Sequence, residues 1–391
     1  MLIRHITNWL ARSSKPTTIN EVPEFATAIG TTIGEVRKEN QDRAIIARVT
    51  STERPDQSFL CFALCDGMGG LADGGRCAEI AISAFISGLI SERGQKLSDM
   101  ARLAALSANS EVYRQYRERG GTTLVAIVSS AHAGAMASVG DSRIYAISHS
   151  KKLEQITVDD TVEGALRKVV GVNESDANWE SFAGQLTQFV GMGDALQPRI
   201  YPLRSNSSYL LTSDGVHNII GTNFKSITLN AGLPFNMVTR LLQVAKWCGG
   251  TDNASAVVMP PIKPDWMVPP NWSTGEWLEI WDSSGKIDID LNRASAALAS
   301  QRVAVPQPPN IEVSKDSRPR KRQSGTPKRR NTKTSPANSG LQGALEIEIV
   351  DQGQSFKQNT SQAGSSQGQD SSESQPSKVE SPPQDDKTKE S

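Results

Sequence analysis

Sulfur and imidazole are both scarce in this sequence. Four cysteines (Cys61, Cys65, Cys77, Cys248) and four histidines are spread over 391 residues. No two cysteines form a Cys-x-x-Cys pair, so the usual ligand sets of zinc sites are missing. Sparse cysteine excludes a disulfide scaffold and fits the reducing cytoplasm. No run of about 18 apolar residues occurs, which excludes an ordinary transmembrane helix. Net charge is absent too: 42 basic residues balance 42 acidic ones, so the chain as a whole is no polyanion binder.

Several hydrolytic chemistries are excluded in the same way. A cysteine phosphatase needs Cys-x5-Arg, but the residues six positions after the cysteines are Gly67, Leu71, Ser83 and Ala254. The Asp-x-Asp of a phosphoaspartate enzyme should end an apolar strand. Asp288-Ile289-Asp290 instead lies beyond the apparent core and after no such strand. The Gly-x-Ser-x-Gly elbow of serine hydrolases is matched only at Gly364–Gly368, among Gln and Ser where no strand–helix turn is expected.

Short apolar runs dominate residues 20–260. RAIIARV (43–49), FLCFALCD (59–66), TTLVAIVSS (122–130), GAMASVGDSRIYAI (134–147), SYLLTSDG (208–215) and ASAVVM (254–259) are bounded by Gly, Asp or Ser and read as strands. Residues 73–92, 98–118 and 234–248 have helical periodicity. Strands that follow one another closely, with helices in blocks, predict an α+β fold of antiparallel sheets covered by helices.

The chain divides by composition. Residues 1–20 form an N-terminal extension in which Leu2, Ile3, Ile6, Trp9 and Leu10 have helical spacing. It lacks the long apolar run and cleavage site of a signal peptide. A short docking helix or frayed end is the plain reading, and an interfacial membrane helix the sharper one. Residues 21–262 make the main domain. Residues 263–300 begin as a strap holding Trp266, Trp272, Trp277 and Trp281, four of the seven tryptophans, expected to pack back on the domain or to bind a partner. Residues 301–391, rich in Gln, Ser and Pro, cannot bury enough apolar area to fold and are expected to be disordered. Their basic block, 315–333, has no interleaved aromatics. It reads as a solvated linker or a weak tether to nucleic acid or an acidic partner.

The chemistry is expected at the segment ends. Asp42, Asp66, Asp141, Asp214 and Asp252 each stand beside an apolar run and next to Gly, Ser or Asn. Each Asp alone suits a turn. Several carboxylates converging at the ends of buried strands need cations. Oxygen ligands without Cys or His select Mg²⁺ or Mn²⁺. Two such ions about 3.5–4 Å apart suit phosphoryl hydrolysis. Gly67, Gly69 and Gly70 let backbone approach a ligand closely.

In this order, Arg37-x-x-Asn40-Gln41-Asp42, Asp66-Gly67-Met68-Gly69-Gly70, Gly121-Thr122-Thr123, Gly140-Asp141-Ser142-Arg143, Ser213-Asp214-Gly215 and Asp252-Asn253 resemble the metal-dependent protein serine/threonine phosphatases of the type 2C class, the compact bacterial members above all. The resemblance covers roughly residues 25–260, and motifs in order are more specific than any one alone. It implies an α-β-β-α sandwich of two antiparallel sheets flanked by helices, with metals in a cleft at one end. It implies hydrolysis of phosphoserine and phosphothreonine in proteins by a water that Mg²⁺ or Mn²⁺ activates, opposing a Ser/Thr kinase. Asp66 would bridge two ions, the Gly67 carbonyl would complete one, and Asp214 and Asp252 would bind the other. Asp42 would lie against the cluster, Asp141 would hold a weaker third ion, and Arg37 would grip the phosphate. Gly121-Thr122-Thr123 and Arg143 look structural, and Asn253 braces Asp252.

The chain departs from the family pattern at four places. Gln41 replaces a usual Glu, and Met68 stands where animal relatives have a proton-donating His. Asn218 replaces a usual Asp, and Asp160 a common His. The amides at Gln41 and Asn218 leave one alternative of another class, a non-catalytic module that senses phosphoprotein or metal.

Overall fold

The computed structural model describes residues 1–12, 15–68, 73–164, 184–204, 206–268 and 274–293. The expectations for 301–391, with the basic block, and for Trp272, Gly69 and Gly70 lie outside these residues.

Among the described residues, thirteen strands form two antiparallel sheets. The first has the order β1 (Thr17–Val22), β2 (Thr27–Thr32), β11 (Ala254–Met259), β10 (Ser208–Thr212), β7 (Arg143–Ile147), β8 (Leu153–Gln155). The second has the order β13 (Gly285–Asp290), β12 (Glu276–Asp282), β3 (Arg43–Ser51), β4 (Phe59–Cys65), β5 (Leu124–Ser129), β6 (Gly134–Val139), β9 (Arg199–Pro202). Strand β4 explains the layering. Its residues Leu60, Phe62 and Leu64 point into the core between the sheets with Ile29, Leu211 and Val257. The alternate Phe59, Cys61, Ala63 and Cys65 join the helix-covered core on the other face. Both faces are buried, so the strand reads as one apolar run rather than an alternation. Each fully buried large side chain contributes roughly 1.5–3 kcal/mol.

Helices α2 (Gly74–Ser91) and α3 (Leu97–Tyr116) cover the second sheet. In α3 the buried Ala101, Ala104, Ala105, Ala108 and Val112 recur at helical spacing. Helices α4 (Asp214–Ile220), α5 (Phe224–Leu229) and α6 (Pro234–Trp247) cover the first, and Pro234 opens α6 where no amide donor is needed. The chain is thus the expected α-β-β-α sandwich.

The N-terminal helix α1 (Leu2–Leu10) buries Ile6 and Leu10 in the same core as α2. Arg12 lies 3.8 Å from the Trp9 ring centre and pairs with Asp282 at 2.6 Å. Trp266 and Trp281 pack edge-on against Phe25. No helix among the described residues is long and apolar enough to cross a membrane.

Two expectations are corrected. The run 134–147 is not one strand: it breaks at Gly140, whose φ of +92° suits glycine, and crosses from the second sheet as β6 to the first as β7. Asp288 and Asp290 do stand in a strand, β13, whose polar residues alternate outward because it is a sheet edge.

Candidate metal centre

The acidic residues gather where strands of both sheets end. Asp66 follows β4, and its backbone is fixed on both sides. Its N–H donates to Thr123 Oγ1 (2.9 Å), and its carbonyl accepts from Thr123 N (2.9 Å) and Thr122 Oγ1 (2.7 Å). Gly67 is wedged between backbones: a Cβ there would lie 2.4 Å from the Gly74 carbonyl and 2.9 Å from that of Gln41. Gly67→Ala is therefore expected to displace the Asp66 carboxylate and cut turnover by roughly a hundredfold, checked by kinetics beside a circular-dichroism melt.

Asp42 leads into β3 and is 2 % exposed. Its Oδ2 accepts from Ser213 Oγ at 2.8 Å, while Oδ1 is buried with no hydrogen-bond partner. Burial pushes its pKa up to about 6. The hydroxyls of Ser255 and Ser213 pull the other way, and Asp214 and Asp252 add repulsion. Asp214 opens α4 behind its N-cap residue Ser213. Asp66 and Asp214 interact directly, each shifting the other's titration. Burial first, then Asp42, Asp214 and Asp141, hold Asp66 well above the usual carboxylate range. Asp214 is raised by burial and by Asp252. Asp141, on the β6–β7 crossover, is pushed up to about 7 by burial, Asp214 and Asp159.

Asp252 precedes β11. Its Oδ1 accepts from Asn253 N (2.8 Å) and its Oδ2 pairs with Arg37 at 2.7 Å. Arg37 is exposed, and its guanidinium also feels the charges of Asp66 and Asp214. Asn253 ties this corner together, accepting from Gln41 N and donating to the carbonyls of Ile33 and Glu39. The Gln41 amide turns to Glu39, 3.2 Å away. Asn218 lies one turn after Asp214 on α4 and is exposed.

Among the described residues no three His, Cys, Asp or Glu side chains stand close enough to form a finished ligand shell. What the fold assembles is an open cluster of mutually repelling carboxylates. A divalent cation fits it on three grounds. The donors are hard oxygens, burial and mutual repulsion raise the pKa of Asp42, Asp66, Asp141 and Asp214 in spite of Arg37 and Arg143 nearby, and Asp42 Oδ1 is left without a donor.

Sequence reasoning missed what holds the cluster from behind. Ser213 Oγ also accepts from Ser255 N (2.9 Å), Ser255 Oγ meets Thr31 Oγ1 (2.7 Å), and Asn40 Nδ2 reaches Thr31 Oγ1 (2.7 Å). The available signal was small hydroxyl residues inside strands where apolar ones would pack better. Also missed was the pairing of Asp160 with Arg199 at 2.6 Å.

The fold and the cluster define a protein of the phosphatase 2C class. Residues 30–245 match the model of that family, described as protein phosphatase 2C, and the chain belongs to it. Among characterised relatives it is similar to serine/threonine protein phosphatase PstP of Mycobacterium tuberculosis (strain H37Rv), with 29 % identity over 203 residues. That match takes in 50 % of this chain and only 39 % of the relative's length. Among solved structures, Stp1 of Staphylococcus aureus, a serine/threonine phosphatase, is 22 % identical with a TM-score of 0.51, covering 64 % of this chain and 96 % of Stp1. A bacterial serine phosphatase is also 22 % identical with a TM-score of 0.51, covering 61 % of this chain and 98 % of that one. These two likenesses are of fold.

Proposed function

We propose that this protein hydrolyses phosphoserine and phosphothreonine in other proteins, using two Mg²⁺ or Mn²⁺ ions and a weaker third. The observation that carries the reading is the carboxylate cluster of buried Asp42 with half-buried Asp66, Asp141 and Asp214, raised in pKa, with Arg37 and Asp252 at its rim. Asp66, the Gly67 carbonyl, Asp214 and Asp252 would hold the two ions, Asp42 would lie against them, and Asp141 would serve the third. When bound, the ions make a water nucleophilic near neutral pH and neutralise the phosphate oxygens.

The side chains do the rest. Asp252 takes one amino group of the Arg37 guanidinium, which orients the fork and leaves its other donors for two phosphate oxygens. Met68 has no ionisable proton to give the leaving hydroxyl. The four cysteines are all free thiols, three of them buried, which supports a cytoplasmic site of action where a Ser/Thr kinase supplies the substrates.

Hydrolysis of para-nitrophenyl phosphate and of a phosphothreonine peptide, with Mn²⁺ and with excess EDTA, tests this. Turnover is expected only with the ion, and full activity in EDTA would overturn the reading. Arg37→Ala is expected to raise KM by about tenfold or more, with a smaller change in kcat, because it removes phosphate binding. An unchanged KM would remove Arg37 from the clamp.

A further inference from the structure

We infer that Asp160 is a positioning residue: it clamps the Gly140–Asp141 turn so that Asp141 is held toward the carboxylate cluster. The inference rests on the metal-dependent reading and adds a residue to it.

The Asp160 side chain is 0 % exposed, and four donors converge on it. Oδ1 accepts from Arg199 Nε (2.8 Å), Arg199 Nη2 (2.6 Å) and Gln188 Nε2 (3.1 Å), and Oδ2 accepts from Gly140 N (3.2 Å). Its backbone works on the same turn. Asp160 N donates to Gly140 O (2.9 Å), and Asp160 O accepts from Thr187 N (2.7 Å). Gly140 is therefore gripped at both its amide and its carbonyl by one residue.

Asp141 follows directly, on the crossover between the two sheets. The other side of that crossover is held independently. Ser142 Oγ meets Thr123 Oγ1 at 2.7 Å, and Thr123 Oγ1 also accepts from Asp66 N. Arg143 is bidentate on Asp159, with Nε and Nη2 3.0 and 2.6 Å from Oδ2. The crossover thus hangs between Asp159–Asp160 on one side and the Thr123–Asp66 backbone on the other. Asp141 rides on it with no strand of its own to fix its direction.

All four side-chain contacts of Asp160 are donors, so the position demands an acceptor on both oxygens. Asparagine has the same shape and only one acceptor atom. With asparagine at 160, either Gly140 N–H or the Arg199–Gln188 pair faces an amide N–H₂.

The test needs no turnover. In EDTA, hydrogen exchange of a peptide spanning 139–145 should quicken at least tenfold in Asp160→Asn, with strand β4 unchanged. In Mn²⁺ calorimetry the weakest ion should bind at least tenfold more weakly in Asp160→Asn, as in Asp141→Asn. The double variant should be no weaker than Asp141→Asn alone, since both changes remove one interaction. If Asp160→Asn does not fold, Arg199→Lys takes its place, keeping the charge and losing the fork, with a smaller loss of about threefold expected. A lowered melting temperature with the weakest affinity within twofold of wild type would overturn the inference, as would additive losses in the double variant. A wild-type titration showing only two ions would also overturn it, and one showing no ion would overturn the metal-dependent reading beneath it.

Discussion

Asparagine in place of Asp66 is expected to lower turnover of a phosphothreonine peptide by about a hundredfold to a thousandfold, and yet to raise the melting temperature of the metal-free protein at pH 8. The loss follows from the position of Asp66. Its carboxylate is held well above the ordinary range by burial and three neighbouring acids, and on the proposed reading the ions that would offset that penalty supply the activity. The gain follows from the same repulsion. Asp66, Asp42 (about 6) and Asp141 (about 7) all have raised pKa values in the folded protein. The folded state then binds more protons than the unfolded one above about pH 4, so stability falls as pH rises. It is fully present below the ordinary carboxylate value and is lost as pH climbs through about 6 and 7. Melts in EDTA at pH 5, 6.5 and 8 should therefore show a melting temperature that declines with pH in the natural protein and declines less in Asp66→Asn. A variant that melts below wild type at pH 8 in EDTA would show that Asp66 is held by favourable contacts rather than against repulsion.

Much of this was legible in the sequence because the fold buries its strands on both faces and ends them in acids. FLCFALC can be a strand between two apolar layers, and the Asp after it can only be a site or a turn. Asp42, Asp66, Asp214 and Asp252 gave the same signal, and their order linked them. What stayed hidden depends on partners far away in the chain. Arg199 is 39 residues from Asp160, and nothing local marks either as a clamp. Gly140 lies inside an apolar run whose composition does not change where the chain leaves one sheet for the other. The hairpin of β12 and β13 was hidden for a different reason. Its alternation of charged and apolar residues is that of an edge, and Pro-rich sequence before it reads as the end of a domain.

That hairpin carries the second large effect. Replacing Glu279 with alanine is expected to destabilise the protein by about 3–5 kcal/mol, the usual cost of stranding one member of a buried ion pair. At about 2–4 °C per kcal/mol for a domain of this size, the melting temperature should fall by roughly 6–20 °C. Glu279 of β12 lies directly opposite Arg48 of β3 and is 1 % exposed, and Arg48 is 9 % exposed. Burial raises the Glu279 pKa, but hydrogen bonds from Arg48 and Lys286 outweigh it and hold the group below its ordinary value. Lys286 of β13 reaches the second oxygen at 2.7 Å, so one carboxylate ties three adjacent strands. Arg48 in turn lies 5.3 Å from the Phe25 ring centre and 5.8 Å from that of Trp281. With alanine at 279 the guanidinium keeps those aromatic faces and loses its buried counter-charge across the strand pair. The double change Arg48→Met with Glu279→Leu should recover most of the loss, because matched apolar side chains replace a desolvated pair at little net cost. A fragment ended at residue 262, the boundary that composition draws, removes Glu279 together with both strands. It leaves Arg48 uncompensated and β3 an open, apolar sheet edge, so it should melt lower still and aggregate on heating. Equal melting temperatures for the fragment and a chain ended at residue 293 would mean that the hairpin adds nothing to the folded unit.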